Sequence, residues 1–92
     1  MDIKIKVIIS GMVQGVFFRF NTKKKADELG IYGWVKNTKD GKVEALFEGD
    51  EKNIYKIIEW CSKGPSNSKV TKVDIIKKKY VKEYDKFSII YQ

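Results

Sequence analysis

Apolar and polar residues alternate through Ile3, Ile5, Val7 and Ile9, which predicts a strand with one buried face. Ser10-Gly11-Met12-Val13-Gln14-Gly15 interrupts the alternation. From about Arg19 to Leu29 the period becomes helical, with Phe18, Thr22, Ala26 and Leu29 on one side and Gly30 as a stop. Ile31 to Thr38 predicts a strand, since Tyr32, Trp34 and Val35 favour a pleated surface. Asp40-Gly41 marks a turn and Val43, Ala45 and Phe47 alternate beyond it, so residues 31–48 predict a hairpin. Gly49-Asp50 closes it, and Asp50 is placed to cap a second helix. There Ile54, Ile57, Ile58 and Cys61 fall at i, i+3, i+4 and i+7, one apolar stripe, and Lys63-Gly64-Pro65 ends the helix. Val70 to Tyr80 predicts a strand with Thr71, Val73 and Ile75 on one face. Phe87, Ile89 and Tyr91 predict a short last strand.

The order is β-α-β-β-α-β plus a terminal β. It implies an α+β, ferredoxin-like, two-layer sandwich, with both helices on one face of an antiparallel sheet. Its 92 residues suffice for one domain, 1–92, and not for two cores. This architecture hosts many activities, so function has to come from particular residues.

Composition narrows the chemistry. There is no histidine, which removes Ser-His, Cys-His and His-zinc constellations. Cys61 is the only cysteine, so no internal disulfide forms and a metal site is not expected. The N-terminal residues alternate with lysine and contain no continuous apolar stretch of a signal peptide, and no run is long enough to span a membrane. A cytoplasmic monomer that uses no cofactor is the expectation. The formal charge is +7, yet among eighteen lysines there is a single arginine, Arg19. Only arginine offers a planar fork that grips two oxygens at once. The alternative reading is a surface arginine without a role.

Ser10 to Arg19 lies between the first strand and the first helix. Gly11 and Gly15 allow the backbone to curl with its amides inward, and the helix N-terminus adds unpaired amides and a positive dipole end. Such a loop is an anion cradle. The plain alternative is a strand-to-helix turn with glycines for geometry. It is not a nucleotide P-loop, because its glycines are one residue too close and Val16 stands where lysine is needed.

Gly11-Met12-Val13-Gln14-Gly15-Val16-Phe17-Phe18-Arg19 resembles the first acylphosphatase signature. Gly33-Trp34-Val35-Lys36-Asn37-Thr38-Lys39-Asp40-Gly41-Lys42-Val43, running on to Phe47-Glu48-Gly49, resembles the second. Ala26-Asp27-Glu28-Leu29-Gly30 and the overall length also fit, whereas Gly64-Pro65-Ser66-Asn67-Ser68 departs from the usual pattern in a loop after the second helix. The resemblance implies a metal-independent and cofactor-free hydrolase of acyl phosphates. It assigns the backbone amides of Gly11, Met12, Val13, Gln14, Gly15, Val16 and Phe17, with the guanidinium of Arg19, to the phosphoryl oxygens. It assigns Asn37 to the water that attacks phosphorus, and it makes inorganic phosphate the product; by occupying the glycine-loop cradle, phosphate is also expected to inhibit competitively. Read on its own, Asn37 is an ordinary residue at a strand end before a turn.

Phe17, Phe18, Phe20, Trp34 and Phe47 are expected mainly in core or sheet-face packing. Positive charge and strand aromatics also fit a ferredoxin-like nucleic-acid-binding module. That reading is the weaker one, because Lys42-Val43-Glu44-Ala45-Leu46-Phe47-Glu48 carries two glutamates and lacks paired exposed aromatics. A catalytically silent regulatory domain is a third reading, against which Arg19 and Asn37 stand together.

Overall fold

The computed structural model describes residues 1–91. Its elements are β1 (Asp2–Met12), α1 (Phe18–Leu29), β2 (Tyr32–Asn37), β3 (Val43–Asp50), α2 (Glu51–Lys63), β4 (Lys69–Lys78) and β5 (Phe87–Ile90). They build one five-stranded sheet in the order β4-β1-β3-β2-β5. The ferredoxin-like order of elements read from the sequence is present.

Local chemistry sets the helix ends as the sequence implies. The Asp50 carboxylate accepts from Lys52 N at 3.1 Å and starts α2. Gly30 ends α1 in the left-handed conformation at φ +67°, and Ile31 N then reaches back to Ala26 O at 2.9 Å. The α2 stripe Ile54, Ile57, Ile58 and Cys61 is buried, as are Phe18, Thr22 and Ala26 of α1. These faces close over Ile5, Val7, Ile9, Val35, Ala45 and Phe47 of the sheet. Phe47 stacks on Phe87 with centroids 5.8 Å apart, and Phe18 tilts against Trp60 at 5.6 Å. Full burial of each large apolar side chain stabilises the fold by roughly 1.5–3 kcal/mol.

Three details differ from the sequence-based picture. First, the sheet is not wholly antiparallel: β5 pairs with β2 in parallel. After β4 the chain passes over the sheet face away from the helices, reaches the opposite edge, and there runs in the direction of β2. Second, Ser10-Gly11-Met12 does not end β1. The strand continues to Met12, with a register shift where Ser10 pairs with Lys72 and Gly11 with Val70. Gly11 sits at φ +125°, and a Cβ there would lie 2.0 Å from Lys69 O, so only glycine allows the approach. Third, Thr71 is the extra residue of this bulge. The phase of β4 shifts there, so Val70 and Val73 pack on the core while Thr71 is exposed. Ile75 keeps the predicted register but remains 50% exposed, because β4 is an edge strand.

The crossing segment 79–86 is pinned by a buried ionic cluster. Lys4 and Glu48 are 4% and 1% exposed, face each other across β1 and β3, and pair at 3.2 Å. Glu83 pairs with Lys4 from above. The Glu48 carboxylate also accepts from Glu83 N at 3.1 Å and from Tyr84 N at 2.8 Å, and Trp34 Nε1 donates to Tyr84 Oη at 3.1 Å. Burial by itself would lower the Lys4 pKa; its hydrogen bonds to Glu83 and Glu48 outweigh that and hold it above the ordinary lysine value. This contribution to stability is therefore fully present below the usual lysine range and fades as pH rises through the raised value. Lys4→Met leaves Glu48 buried without its cation and is expected to cost about 3 kcal/mol. Thermal unfolding checks this: a midpoint equal to that of the wild type contradicts the role given to Lys4.

Candidate active site

The connection from β1 to α1 needs two left-handed residues to turn through so few positions. Gly15 has φ +72°, and Phe17 has φ +60°, the one positive φ outside glycine among the described residues. Phe18 follows directly and is buried against Trp60, which anchors the start of α1. Phe17 is the residue before the helix, and no side chain caps it. α2, with Asp50, shows what this chain does where a cap is wanted. Asn21 is the first residue of α1 whose N–H finds a backbone acceptor, Phe17 O at 3.0 Å, and Asn21 Nδ2 donates to the same oxygen at 2.9 Å. The amides of Phe18, Arg19 and Phe20 thus have no acceptor among the described residues. The dipole of α1 adds positive potential at that place.

Asn37 ends β2, paired with Val43 of β3. The turn beyond it closes on itself: Thr38 N donates to Lys42 O at 2.8 Å and Lys42 N to Thr38 Oγ1 at 3.0 Å. The Thr38 hydroxyl donates to Asp40, and that bond, ahead of the nearby Lys42 charge, holds the Asp40 carboxyl below its usual pKa. Gln14 joins the loop to this turn, its Nε2 donating to Thr38 O and to Lys42 O, both at 2.8 Å.

Arg19 and Asn37 share a pocket of about 370 Å³ with Val13, Gly15 and Phe17 of the loop; Phe20, Ile89 and Tyr91 form its outer wall. Arg19 is half-buried, with its guanidinium carbon 5.0 Å from the centre of the Tyr91 ring. Among the described residues no carboxylate lies within ion-pair distance of it. Gly11, Met12, Gln14 and Val16 do not line the pocket. Gly11 and Met12 belong to the end of β1, Gln14 turns to the β2–β3 turn, and Val16 packs on the core. A larger groove of about 660 Å³ runs between α1 and β5 and contains neither Arg19 nor Asn37.

Phe17 and Phe20, expected in packing, are 76% and 61% exposed and rim the pocket instead. Cys61 is fully buried in α2, and burial pushes its thiol pKa up, which removes it as a nucleophile. No group of three or more histidine, cysteine, aspartate or glutamate side chains able to hold a metal occurs among the described residues. Sequence reading missed the Gln14 side chain and the part played by Phe20, Ile89 and Tyr91. An exposed aromatic and a buried one carry the same signature in a hydropathy pattern.

The family model described as Acylphosphatase matches residues 5–89. The chain belongs to the acylphosphatase family. An acylphosphatase of Syntrophus aciditrophicus is 42% identical over 88 residues, which are 96% of this chain and 92% of that protein. One from a Roseiflexus species is 47% identical over 85 residues, covering 92% of this chain and 91% of the relative. The crystal structure of the acylphosphatase from Bacillus subtilis superimposes with a TM-score of 0.93 at 37% identity, over 99% of this chain and 100% of that one. Acylphosphatases are hydrolases acting on acid anhydrides, so the chain is an enzyme of that kind. In this acylphosphatase the two signature stretches end up side by side, at the start of α1 and at the end of β2.

The left-handed conformation of Phe17 costs about 1–2 kcal/mol for an L-residue with a side chain, and the exposed ring recovers little of it by burial. Phe17→Gly is expected to make this acylphosphatase more stable by about 0.5–1 kcal/mol, after the added freedom of glycine in the unfolded chain is allowed for. Denaturant unfolding of Phe17→Gly beside Phe17→Ala checks it. If the alanine variant is the more stable of the two, Phe17 carries no conformational strain.

Proposed function

We propose that this enzyme hydrolyses the carboxyl–phosphate anhydride of acyl phosphates by attack of water at phosphorus. The amides of the β1–α1 loop and of the first turn of α1 hold the phosphoryl oxygens, with Gly11 and Met12 setting where the loop begins. Arg19 closes on the same oxygens as a bidentate clamp, and Asn37 orients the water. The observation that carries this reading is a single pocket that contains Arg19, Asn37 and the uncapped start of α1.

The chemistry fits these parts. Phosphoryl transfer proceeds through a loose transition state, so placement and charge stabilisation supply most of the catalysis. Amides and a guanidinium held beside a folded core need little rearrangement as charge develops on the equatorial oxygens. A carboxylate is a good leaving group, which lessens the need for a general acid. Asn37 is too weak a base to take a proton, yet it fixes the water in line, a gain of position. The proton passes to an oxygen of the substrate phosphate. The same reading has the enzyme act as a cytoplasmic monomer without metal or cofactor, with inorganic phosphate as product and competitive inhibitor. The nucleic-acid reading has less support, because the two β1 lysines on the outer face of the sheet are committed to carboxylates: Lys6 to Glu44 at 3.2 Å and Lys4 to Glu48 at 3.2 Å.

Arg19→Lys keeps one positive charge but loses the fork. It is expected to lower kcat/KM on acetyl phosphate by about 100-fold or more while the protein stays folded. Asn37→Ala is expected to bind inorganic phosphate as the wild type does and to turn over about 100-fold more slowly. Steady-state kinetics with phosphate inhibition measures both. Near wild-type turnover in a folded Arg19→Lys protein removes Arg19 from the chemistry.

A further inference from the structure

The cradle and Asn37 lie on different elements, and a working distance between them has to be maintained by something. β1, which leads into the loop, is separated from β2 by β3. The ladder ends at Val43, which pairs with Ile9 of β1 on one side and with Asn37 of β2 on the other, and the β2–β3 turn lies beyond it, outside the sheet. Among the described residues, the Gln14 side chain joins the loop to this turn. Gln14 leaves the middle of the loop and places Nε2 at 2.8 Å from Thr38 O and 2.8 Å from Lys42 O. Those carbonyls are the two sides of the turn, and Thr38 directly follows Asn37.

We infer that Gln14 is a positioning residue: its two amide hydrogens lock the Asn37 turn against the phosphate loop and so fix where the attacking water stands relative to phosphorus. The inference rests on the proposed role of Asn37. The choice of side chain follows from the acceptors. Two carbonyls side by side require a group with two donors and a flat, neutral head. Glutamate has the same shape but would turn an oxygen toward each carbonyl. A lysine long enough to reach would bring a full charge and lose the planar fork. The amide is also oriented unambiguously, because the opposite orientation sets its oxygen against the same two carbonyls. The turn is otherwise satisfied by its own bonds, Thr38 N to Lys42 O and Lys42 N to Thr38 Oγ1, so it folds without Gln14. What Gln14 adds is its position relative to the loop. The Gln14 side chain does not line the pocket and touches no substrate in this reading, and its substitution leaves the backbone amide in the loop.

Gln14→Met, Gln14→Glu, Asn37→Ala and the Gln14→Met/Asn37→Ala double variant test this, with acetyl phosphate for kcat and inorganic phosphate for the inhibition constant. Gln14→Met is expected to lower kcat by about 10- to 100-fold, since a shift near 1 Å costs that much. Gln14→Glu is expected to be at least as slow. The phosphate inhibition constant of Gln14→Met should stay within about twofold of wild type, because the cradle is intact, and that binding also reports a folded protein. If Gln14→Met does not fold, Gln14→Asn, whose amide falls short of the turn, takes its place. The double variant should be no slower than Asn37→Ala alone, because Gln14 acts only through Asn37. A Gln14→Met enzyme with wild-type kcat overturns the inference, and so do losses that multiply in the double variant or phosphate binding that weakens in step with kcat. If Asn37→Ala itself keeps wild-type kcat, the role of Asn37 falls, and Gln14 falls with it. A slow Asn37→Ala beside a fast Gln14→Met rejects Gln14 alone.

Discussion

Buried backbone N–H groups in folded proteins are nearly all paired, and the start of α1 leaves the amides of Phe18, Arg19 and Phe20 without an acceptor among the described residues. Elsewhere the polar groups are well provided for. Asp50 caps α2, Glu48 takes up two amides of the crossing segment, and no buried side-chain nitrogen or oxygen of the described residues lacks a partner. In the proposed reading, open amides beside Arg19, with a helix dipole behind them, favour an oxyanion-rich ligand in this pocket. Capping α1 as α2 is capped would stabilise the helix and take donors away from the site. The strained Phe17 belongs to the same compromise, because its left-handed backbone directs the first turn of α1 into the pocket.

The buried ionic cluster and the pocket lie in different parts of the fold. Lys4, Glu48 and Glu83 clamp the crossing segment on the sheet face away from the helices. The pocket instead draws on strand ends: β1 through the loop, β2 through Asn37, β5 through Ile89 and Tyr91 beyond it. Gly11 is needed because the end of β1 lies so close to Lys69 O, and this contact sets the direction in which the loop leaves the sheet. The parallel pairing of β5 with β2 carries Tyr91 to Arg19, with its ring centre 5.0 Å from the guanidinium carbon. An arginine braced on an aromatic face loses less freedom when it binds an anion.

Much of this was legible in the sequence because local rules and tertiary packing agree. The α2 stripe, the Asp50 cap, the Gly30 stop and the hairpin at Asp40-Gly41 each rest on short-range chemistry. Arg19 stood out as the lone fork among lysines, and Asn37 through the resemblance of its stretch; the fold places both in one pocket. The features that escaped depend on distant partners. Gly11 reads as a breaker, yet it is a bulge whose partner strand, β4, comes near the end of the chain. Thr71 has the right alternation and the wrong face for the same reason. No local pattern gives the direction of β5, which follows from where residues 79–86 cross the sheet. Phe17 reads as a core residue by its composition, and the loop conformation shows that it faces out; Phe20 lies inside α1, off the buried face of Phe18, Thr22 and Ala26, and is exposed there.

The central claim is that the site stabilises charge at phosphorus and sends water there. An acyl phosphate offers two centres, the carbonyl carbon and phosphorus, and the products differ in which of them keeps the oxygen from water. The chain has no histidine to assist an acyl-enzyme route, and its one thiol is buried. The most direct measurement is hydrolysis of acetyl phosphate in oxygen-18 water, with mass analysis of both products. The account predicts the label in inorganic phosphate and none in acetate; label in acetate would contradict it.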